Sequence, residues 1–598
     1  MSDFTTRPEI LGTFGVVTST HWLASATGME ILEKGGNAFD AAVATGFALQ
    51  VVEPHQCGPA GEVPIILTAA GSGAVKVICG QGTAPAAATI AAYRDQGLDL
   101  VPGSGLLAAV VPGAFDAWML LLRDHGTMRL ADVLGPAIAF AENGYPVVPN
   151  ITNTITEVRE LFEIEWPTSA AVYLPGGAPP APGTIFRNPD LAATYARLVE
   201  EAADGDRVAE IEAARRVWSQ GFIAEAIDRF CRETAAMDGS GERHRGFLTG
   251  HDMAAWRATY EEPLTYDYYG HTVCKTGPWG QGPVFLQQLA LLKGFDLGGM
   301  DAVDPDFVHL VTECAKLAFA DREAFYGDPN FVAVPTDTLL GDAYNDARRP
   351  LVADTASLEI RPGAIAGYGG KVTVREKGST EALARTGGLG TGEPTTKRFE
   401  AGSAVPGDTV HFDIIDRHGN MVSATPSGGW LQSSPVVEGL GFCLTSRAQM
   451  FWLEEGLPAS LAPGKRPRTT LTPSLALRGG EPYMVFGTPG GDQQDQWTLH
   501  LFLRHVHFGN NLQEAIDAPG FHTEHFPGSF YPRECDLGHL AVEGRFPRRT
   551  VEALAKRGHR VREEEHWCLG RMTAAAKEGP LLKAGANPRF MQGYAIGR

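Results

Sequence analysis

The chain has no uncharged apolar run of about 18 residues, so no spanning helix is expected. The start, MSDFTTRPEI, has no basic stretch followed by an apolar core, so no secretory signal is read there. Cysteine is sparse: eight residues, at 57, 79, 231, 274, 314, 443, 535 and 568, none in a C-x-x-C pair. That spacing suits neither a zinc knuckle nor a disulfide scaffold, and reduced thiols in the cytoplasm are expected. Basic residues are outnumbered, 50 against 70, giving a net charge of −20. A surface that acidic repels phosphate backbones and anionic membranes, which disfavours both as partners. Nor is there an internal repeat.

What is abundant is glycine and proline, 71 and 40 residues, without a collagen period. They punctuate ordinary elements with turns. Length alone, 598 residues, suggests about four domains. The first 130 residues read as α/β. Gly15-Val16-Val17 is a short strand, Leu23–Leu32 a helix, and Asn37 caps an Ala-rich buried helix over Ala38–Val52. Ile65–Ala69 and Val75–Cys79 read as strands. From Gly113 to Tyr326 helices dominate, with helical spacing over Ala131–Asn143, Pro189–Ala203, Val208–Glu233 and Pro305–Phe325. Residues 246–262 add a short helix and 263–276 a strand-like segment.

Residues 369–408 differ: Gly, Thr, Ser and Lys abound, large apolar side chains are few, and a mobile loop is expected. Directly after it, Thr409–Asp416 (TVHFDIID) alternates like a strand. His418-Gly419-Asn420 makes a turn and Met421–Thr425 returns, a hairpin signal. A threonine at a strand start is ordinarily structural. If the Asp408–Thr409 bond were cut, however, Thr409 would carry a free α-amine beside its own hydroxyl. That amine, with a pKa of about 8, accepts the hydroxyl proton near neutral pH. One residue then supplies nucleophile and base.

In this setting a series of stretches resembles the gamma-glutamyltransferase (gamma-glutamyltranspeptidase) family of N-terminal nucleophile hydrolases. They are THWLASATGMEILEKGGNAFDAAVATGFALQVVEP (20–54), LAAVVPGAFDAW (107–118), ADREAFYGDPNFVAVP (320–335), TVHFDIIDRHGNMVSAT (409–425), GKRPRTTLTPSLAL (464–477), GTPGGDQQ (487–494) and APGFHTEHFP (518–527). Together they span nearly the whole chain. The resemblance implies an α/β fold, a four-layer αββα sandwich. It also implies one precursor maturing into a large subunit, 1–408, and a small catalytic subunit, 409–598, with a homodimer of such heterodimers as an option. Asp408-Thr409 matches the cleavage site and Thr409 the nucleophile. Ser427, 18 residues on, stands where the family has a supporting threonine. Gly490 and Gly491 match the oxyanion-hole pair. Thr469 and Thr470 match a serine pair that binds a substrate carboxylate. No cofactor and no metal are implied.

The departures bear on substrate. Gln81 stands where glutathione-cleaving members carry the arginine that clamps the glutamyl carboxylate, and an amide does not replace a charged fork. Gly429 replaces an asparagine. Met450 replaces the aspartate that holds the α-ammonium, and Arg447 a glutamine. The glycine run after Val-Glu-Pro becomes Gly58-Pro59-Ala60-Gly61-Glu62. The engine is kept and the gamma-glutamyl pocket is dismantled; an Arg447 facing the pocket favours an anionic group. The expected reaction is hydrolysis of a small acyl or amide substrate through a Thr409 ester, the substrate not being a simple gamma-glutamyl compound. Oxamate-type amides, cephalosporin or glutaryl amides, and oxalyl-type C–C substrates of 4-alkylproline antibiotic pathways all fit. A true gamma-glutamyl transferase and an uncleaved, inactive binding protein are the alternatives.

Other signals read as structural. His522-Thr523-Glu524-His525 follows Ala518-Pro519-Gly520 and is not taken as a metal pair. His505 and His507 are expected to be solvated at a helix end, and Glu563–His566 to be a solvated charge run. Gly388–Gly392 lacks the Lys-Ser/Thr of a phosphate loop. Cys79 reads as a buried thiol. Trp279 and Trp430 read equally as pocket or core.

Overall fold

The structure is a computed structural model that describes residues 4–376 and 409–598. The 377–408 part of the expected loop, including Asp408 and Gly388–Gly392, lies outside the described residues.

Two seven-stranded sheets stack face to face. One has at its centre the hairpin of Phe412–Asp416 and Met421–Ala424, flanked by the strands Gly15–Ser19 and Val63–Thr68. The other is built around Ser474–Arg478, Glu481–Gly487, Thr573–Glu578 and Leu581–Ala586. Period-two alternation explains the stack, because neighbouring side chains on a strand face opposite ways. Val16, Ile415 and Met421 join Leu475, Val485 and Ala575 in the layer between the sheets. Their neighbours Val17, Ile414 and Val422 turn outward, under a helical layer that includes Ala38–Val52 and Ala114–His125. On the far side, Ala476, Met484 and Phe486 sit under Gly282–Leu292, Pro305–Phe325 and Gln494–Phe508. The result is the α-β-β-α sandwich. With both faces covered, every residue of Phe412–Asp416 is buried.

Local signals account for the helix bounds. Asn37 and Asp40 form a reciprocal capping box, and the helix runs over Ala38–Val52 with all residues buried. Asp304 caps Pro305–Phe325. The expected single helix over Val208–Glu233 is instead two, Arg207–Gln220 and Phe222–Glu233. Gly221 sits between them in extended backbone and breaks the ladder. Two surface readings also change. His505 and His507 are partly buried and bonded to the hydroxyls of Tyr483 (2.6 Å) and Tyr268 (2.9 Å). Glu563 and Glu564 end the strand Arg560–Glu564, which pairs parallel with His539–Glu543. Among the described residues no helix is long and apolar enough to cross a membrane.

Candidate active site

Thr409 lies three residues before the central strand Phe412–Asp416 and is fully buried. The hairpin that follows folds the chain back, so Thr409 and Ser427 form an isolated antiparallel bridge. Their hydroxyl oxygens are 3.2 Å apart. Ser427 is fixed from the other side by Glu62, with reciprocal backbone bonds of 3.0 and 2.9 Å. That contact needs Gly61, where a Cβ would stand 2.1 Å from the Ser427 carbonyl oxygen. The run Gly58–Glu62 is thus a backbone cradle for residues 427–429. Further along the strand, His411 is bonded to Thr425 (2.8 Å) and Asp413 (3.1 Å), which locks its ring in the core.

The Thr409 carbonyl accepts from Arg571 Nη2 at 2.9 Å, and the same nitrogen donates to Gln56 Oε1 at 2.5 Å. The Arg571 backbone N–H donates to Thr488 Oγ1 at 3.1 Å, so one residue ties the threonine to the Thr488–Gly491 turn. Behind it lies Glu53, whose carboxyl is pushed up to about 7 by burial. Arg571, Thr20 and Gln592 partly offset that rise.

The turn follows the strand Glu481–Gly487 and opens the helix Gln494–Phe508 through a short 3₁₀ segment. Gly490 has φ +126° and Gly491 φ +55°, backbone that L side chains rarely adopt. The carbonyls of Gly491 and Asp492 accept from Gln281 Nε2 at 3.3 and 3.4 Å. Burial raises the Asp492 carboxyl, but Arg322 and Ser529 outweigh it and hold the group ionised below its usual range. The turn is therefore anchored through both backbone and side chain.

Arg447 departs from the reading of a guanidinium open to a substrate anion. It is fully buried, and its Nε donates to Glu62 Oε1. Its Nη2 donates to Ser427 Oγ at 2.5 Å. The guanidinium lies 5.1 Å from the Trp430 ring and 5.5 Å from that of Phe530. A cation so desolvated requires a carboxylate partner, and Glu62 is that partner. Met450 packs with Trp430 and Phe530 in an apolar cluster and offers no carboxylate to an ammonium. Gly429, at φ +66°, continues the loop past Ser427.

Gln81, Thr469 and Thr470 are fully buried. Gln81 Nε2 donates to the Gly82 carbonyl at 3.2 Å, while among the described residues its Oε1 and the Thr470 hydroxyl have no partner. The Thr469 hydroxyl accepts from the Leu471 N–H at 3.3 Å. Among the described residues no hydrogen bond joins these three to Thr409. Cys79, beside Gln81, is buried and its thiol is pushed up to about 12 by that burial. Trp279 is buried in the layer between the sheets, and its Nε1 donates to Glu261 at 2.5 Å.

Two groups of metal-ligand type occur among the described residues: His309, Glu313, His559 and Glu524, Asp536, His539. In the first, Glu313 is ion-paired with Lys316 at 2.6 Å and His309 is bonded to His559 at 2.8 Å, so two of its three candidate ligands are already engaged with each other and the third with a lysine. Glu62, Arg571 and Phe530 received no site role from the sequence. Glu62 was legible only as an acid replacing the end of a glycine run.

Comparison with known proteins gives the family. The family model for gamma-glutamyltranspeptidase matches residues 24–597. The chain is 32% identical to the acylase ACY 1 proenzyme of Pseudomonas sp. over 574 residues, 94% of this chain and 90% of that protein. It is 30% identical to the oxamate amidohydrolase proenzyme of Klebsiella pneumoniae over 597 residues, 98% and 99% of the two chains. The solved structure of LmbA2991HD superposes over 100% of both chains with TM-score 0.92 at 57% identity. The chain is an enzyme of the gamma-glutamyltranspeptidase family.

Proposed function

We propose that the chain is a self-cleaving acyl hydrolase whose nucleophile is Thr409, acting on a substrate other than a simple gamma-glutamyl compound. The observation that carries this is the Thr409–Ser427 hydroxyl pair at 3.2 Å, buried at the start of the central hairpin. In the precursor, Thr409 Oγ1 attacks the carbonyl carbon of residue 408. The peptide nitrogen leaves as the Thr409 amine, and water hydrolyses the ester. The products are a large subunit, 1–408, and a small one, 409–598. The family's relatives named as proenzymes support this maturation.

In the mature enzyme the Thr409 amine takes the hydroxyl proton as Oγ1 bonds to the substrate carbonyl carbon. The oxyanion is held by N–H groups of Gly490 and Gly491. Such donors are each worth about 10²–10³ in rate. The leaving group departs with the proton from the ammonium. Water then attacks the Thr409 ester, the amine taking a proton, and the free acid is released. No step needs a metal or cofactor. In this reading the acyl group meets the neutral polar side chains of Thr469, Thr470 and Gln81 and the apolar cluster of Met450, Trp430 and Phe530. This supports a small acyl group without an ammonium, and oxamate, named in the amidohydrolase relative, is one such substrate. Eight unpaired thiols, seven of them buried, support a reducing compartment.

The test is a substrate panel with the purified enzyme: oxamate, a glutaryl amide and a gamma-glutamyl anilide. Turnover of oxamate or the glutaryl amide is expected. Turnover confined to the glutamyl compound would overturn the substrate reading.

A further inference from the structure

The Ser427 hydroxyl is crowded on one side by a group that can only donate. A guanidinium has N–H donors and no acceptor, so at 2.5 Å the Ser427 oxygen accepts from Arg447 Nη2. Its own proton is thereby turned away from Arg447, and Thr409 Oγ1, 3.2 Å away, is an acceptor within reach. Arg447 is in turn held by Glu62. Carboxylate Oε1 takes its Nε, while Oε2 accepts from the Thr445 hydroxyl at 2.8 Å. The same Glu62 binds Ser427 through both backbone groups. All of these side chains are buried, so charge there is weakly screened.

We propose that Glu62 and Arg447 are positioning residues that act through Ser427. They fix the direction of its hydroxyl toward Thr409 and balance the charge beside the Thr409 amine. The inference rests on Thr409 as the nucleophile and goes beyond it. It also explains why an arginine and a glutamate occupy positions where the family carries a glutamine and the glycine run. The pair serves the nucleophile, with only Arg447 Nη1 left without a partner.

The balance makes a signed prediction. The acidic limb of kcat/KM reports the amine that must be neutral to act as base. Glu62→Gln keeps acceptors for Arg447 but removes the negative charge. The uncompensated cation then disfavours the ammonium and moves the limb down by about one pH unit. Arg447→Lys keeps the charge but cannot serve Glu62 and Ser427 in the same fork. It leaves the limb in place and lowers the rate by about 10- to 100-fold. Arg447→Met leaves Glu62 uncompensated and moves the limb up. The other ionisable groups near Thr409 are unchanged in these variants: Arg571 on its carbonyl, Glu53 and His55 behind Arg571, and His411 and Asp413 on its own strand.

The experiment measures self-cleavage on denaturing gels and the pH profile of turnover for wild type, Glu62→Gln, Arg447→Lys, Arg447→Met and Glu62→Gln/Arg447→Met. The double variant removes both charges, so it guards against misfolding caused by a lone buried ion. It is expected to keep the wild-type limb and lose about 10- to 100-fold in rate. Opposite shifts in the single variants support the proposal. A limb that stays in place in Glu62→Gln, shifts of the same sign, or a double variant as fast as wild type would overturn it. Thr409→Ala is run beside them. An active Thr409→Ala sinks the nucleophile assignment itself, whereas an inactive one with unshifted limbs sinks only the roles of Glu62 and Arg447.

Discussion

Alanine at Gly490 should disable the enzyme while leaving most of the fold in place. The φ of +126° at this position is strained for any L side chain, at a cost of about 1–3 kcal/mol. An added Cβ would also stand 2.2 Å from Trp497 Cζ3, where carbon pairs settle at about 3.5–4.0 Å. The ring has little room to retreat. It is only 9% exposed, Gly570 lies against its Cγ, and the His522 ring packs edge-on at 5.4 Å. Overpacking of this kind costs a further ~1–3 kcal/mol. The turn should therefore shift, and losing even one oxyanion donor lowers kcat by about 10²–10³. Gly480→Ala is the matched control: φ is +86°, but nothing lies within 4 Å, in the hairpin turn at the opposite end of the strand Glu481–Gly487 from the Thr488–Gly491 turn. It should cost about 1–2 kcal/mol in strain and leave kcat unchanged. The assay is steady-state turnover on the best panel substrate, with thermal melting of both variants. A Gly490→Ala enzyme with wild-type kcat would refute the role given to the turn.

Three further outcomes follow from the contacts around the site. Arg571→Met removes the donor on the Thr409 carbonyl, and self-cleavage timed on a gel should slow by at least about 10-fold; an unchanged rate would count against its positioning role. Glu543 is pulled to about 2, because Arg589 and Arg545 outweigh the upward push of burial. Its folded value lies below the unfolded one, so its stabilisation is present above about 4.5 and is lost as pH falls toward 2. Arg589→Met should cost about 3–5 kcal/mol at neutral pH, read by denaturant unfolding. Glu53 has the opposite sign. Burial raises it to about 7, so its contribution is full below about 4.5 and lost as pH rises through 7. Melting curves of Glu53→Gln should lack that decline, and a parallel pH dependence in both proteins would contradict it.

Much of this was legible because it is local. The capping box at Asn37 and the proline start of Pro305–Phe325 set helix bounds that neighbouring residues alone decide. The Thr409–Ser427 bridge follows from one hairpin, whose strands and turn are local signals, although the pairing of the two residues came from the family resemblance. The helix break at Gly221 was missed because the flanking sequences keep one apolar face through it. Arg447 was misjudged for a different reason. Its partner Glu62 is 385 residues away in sequence, and the pairing exists only once the strand Val63–Thr68 lies beside Met421–Ala424 in one sheet and brings the cradle to the loop. Arg571 reaches Thr409 across 162 residues from the other sheet, just ahead of the strand Thr573–Glu578, and nothing in its own neighbourhood marks it.

The central claim is that Thr409 is both the cut point and the nucleophile. Intact-mass analysis of the purified protein, with N-terminal sequencing of the smaller fragment, tests it most directly. Two fragments of 408 and 190 residues are expected, the second beginning TVHFDIID, while Thr409→Ala stays a single inactive chain. A fully active single chain, a fragment beginning elsewhere, or cleavage that survives in Thr409→Ala would contradict the account.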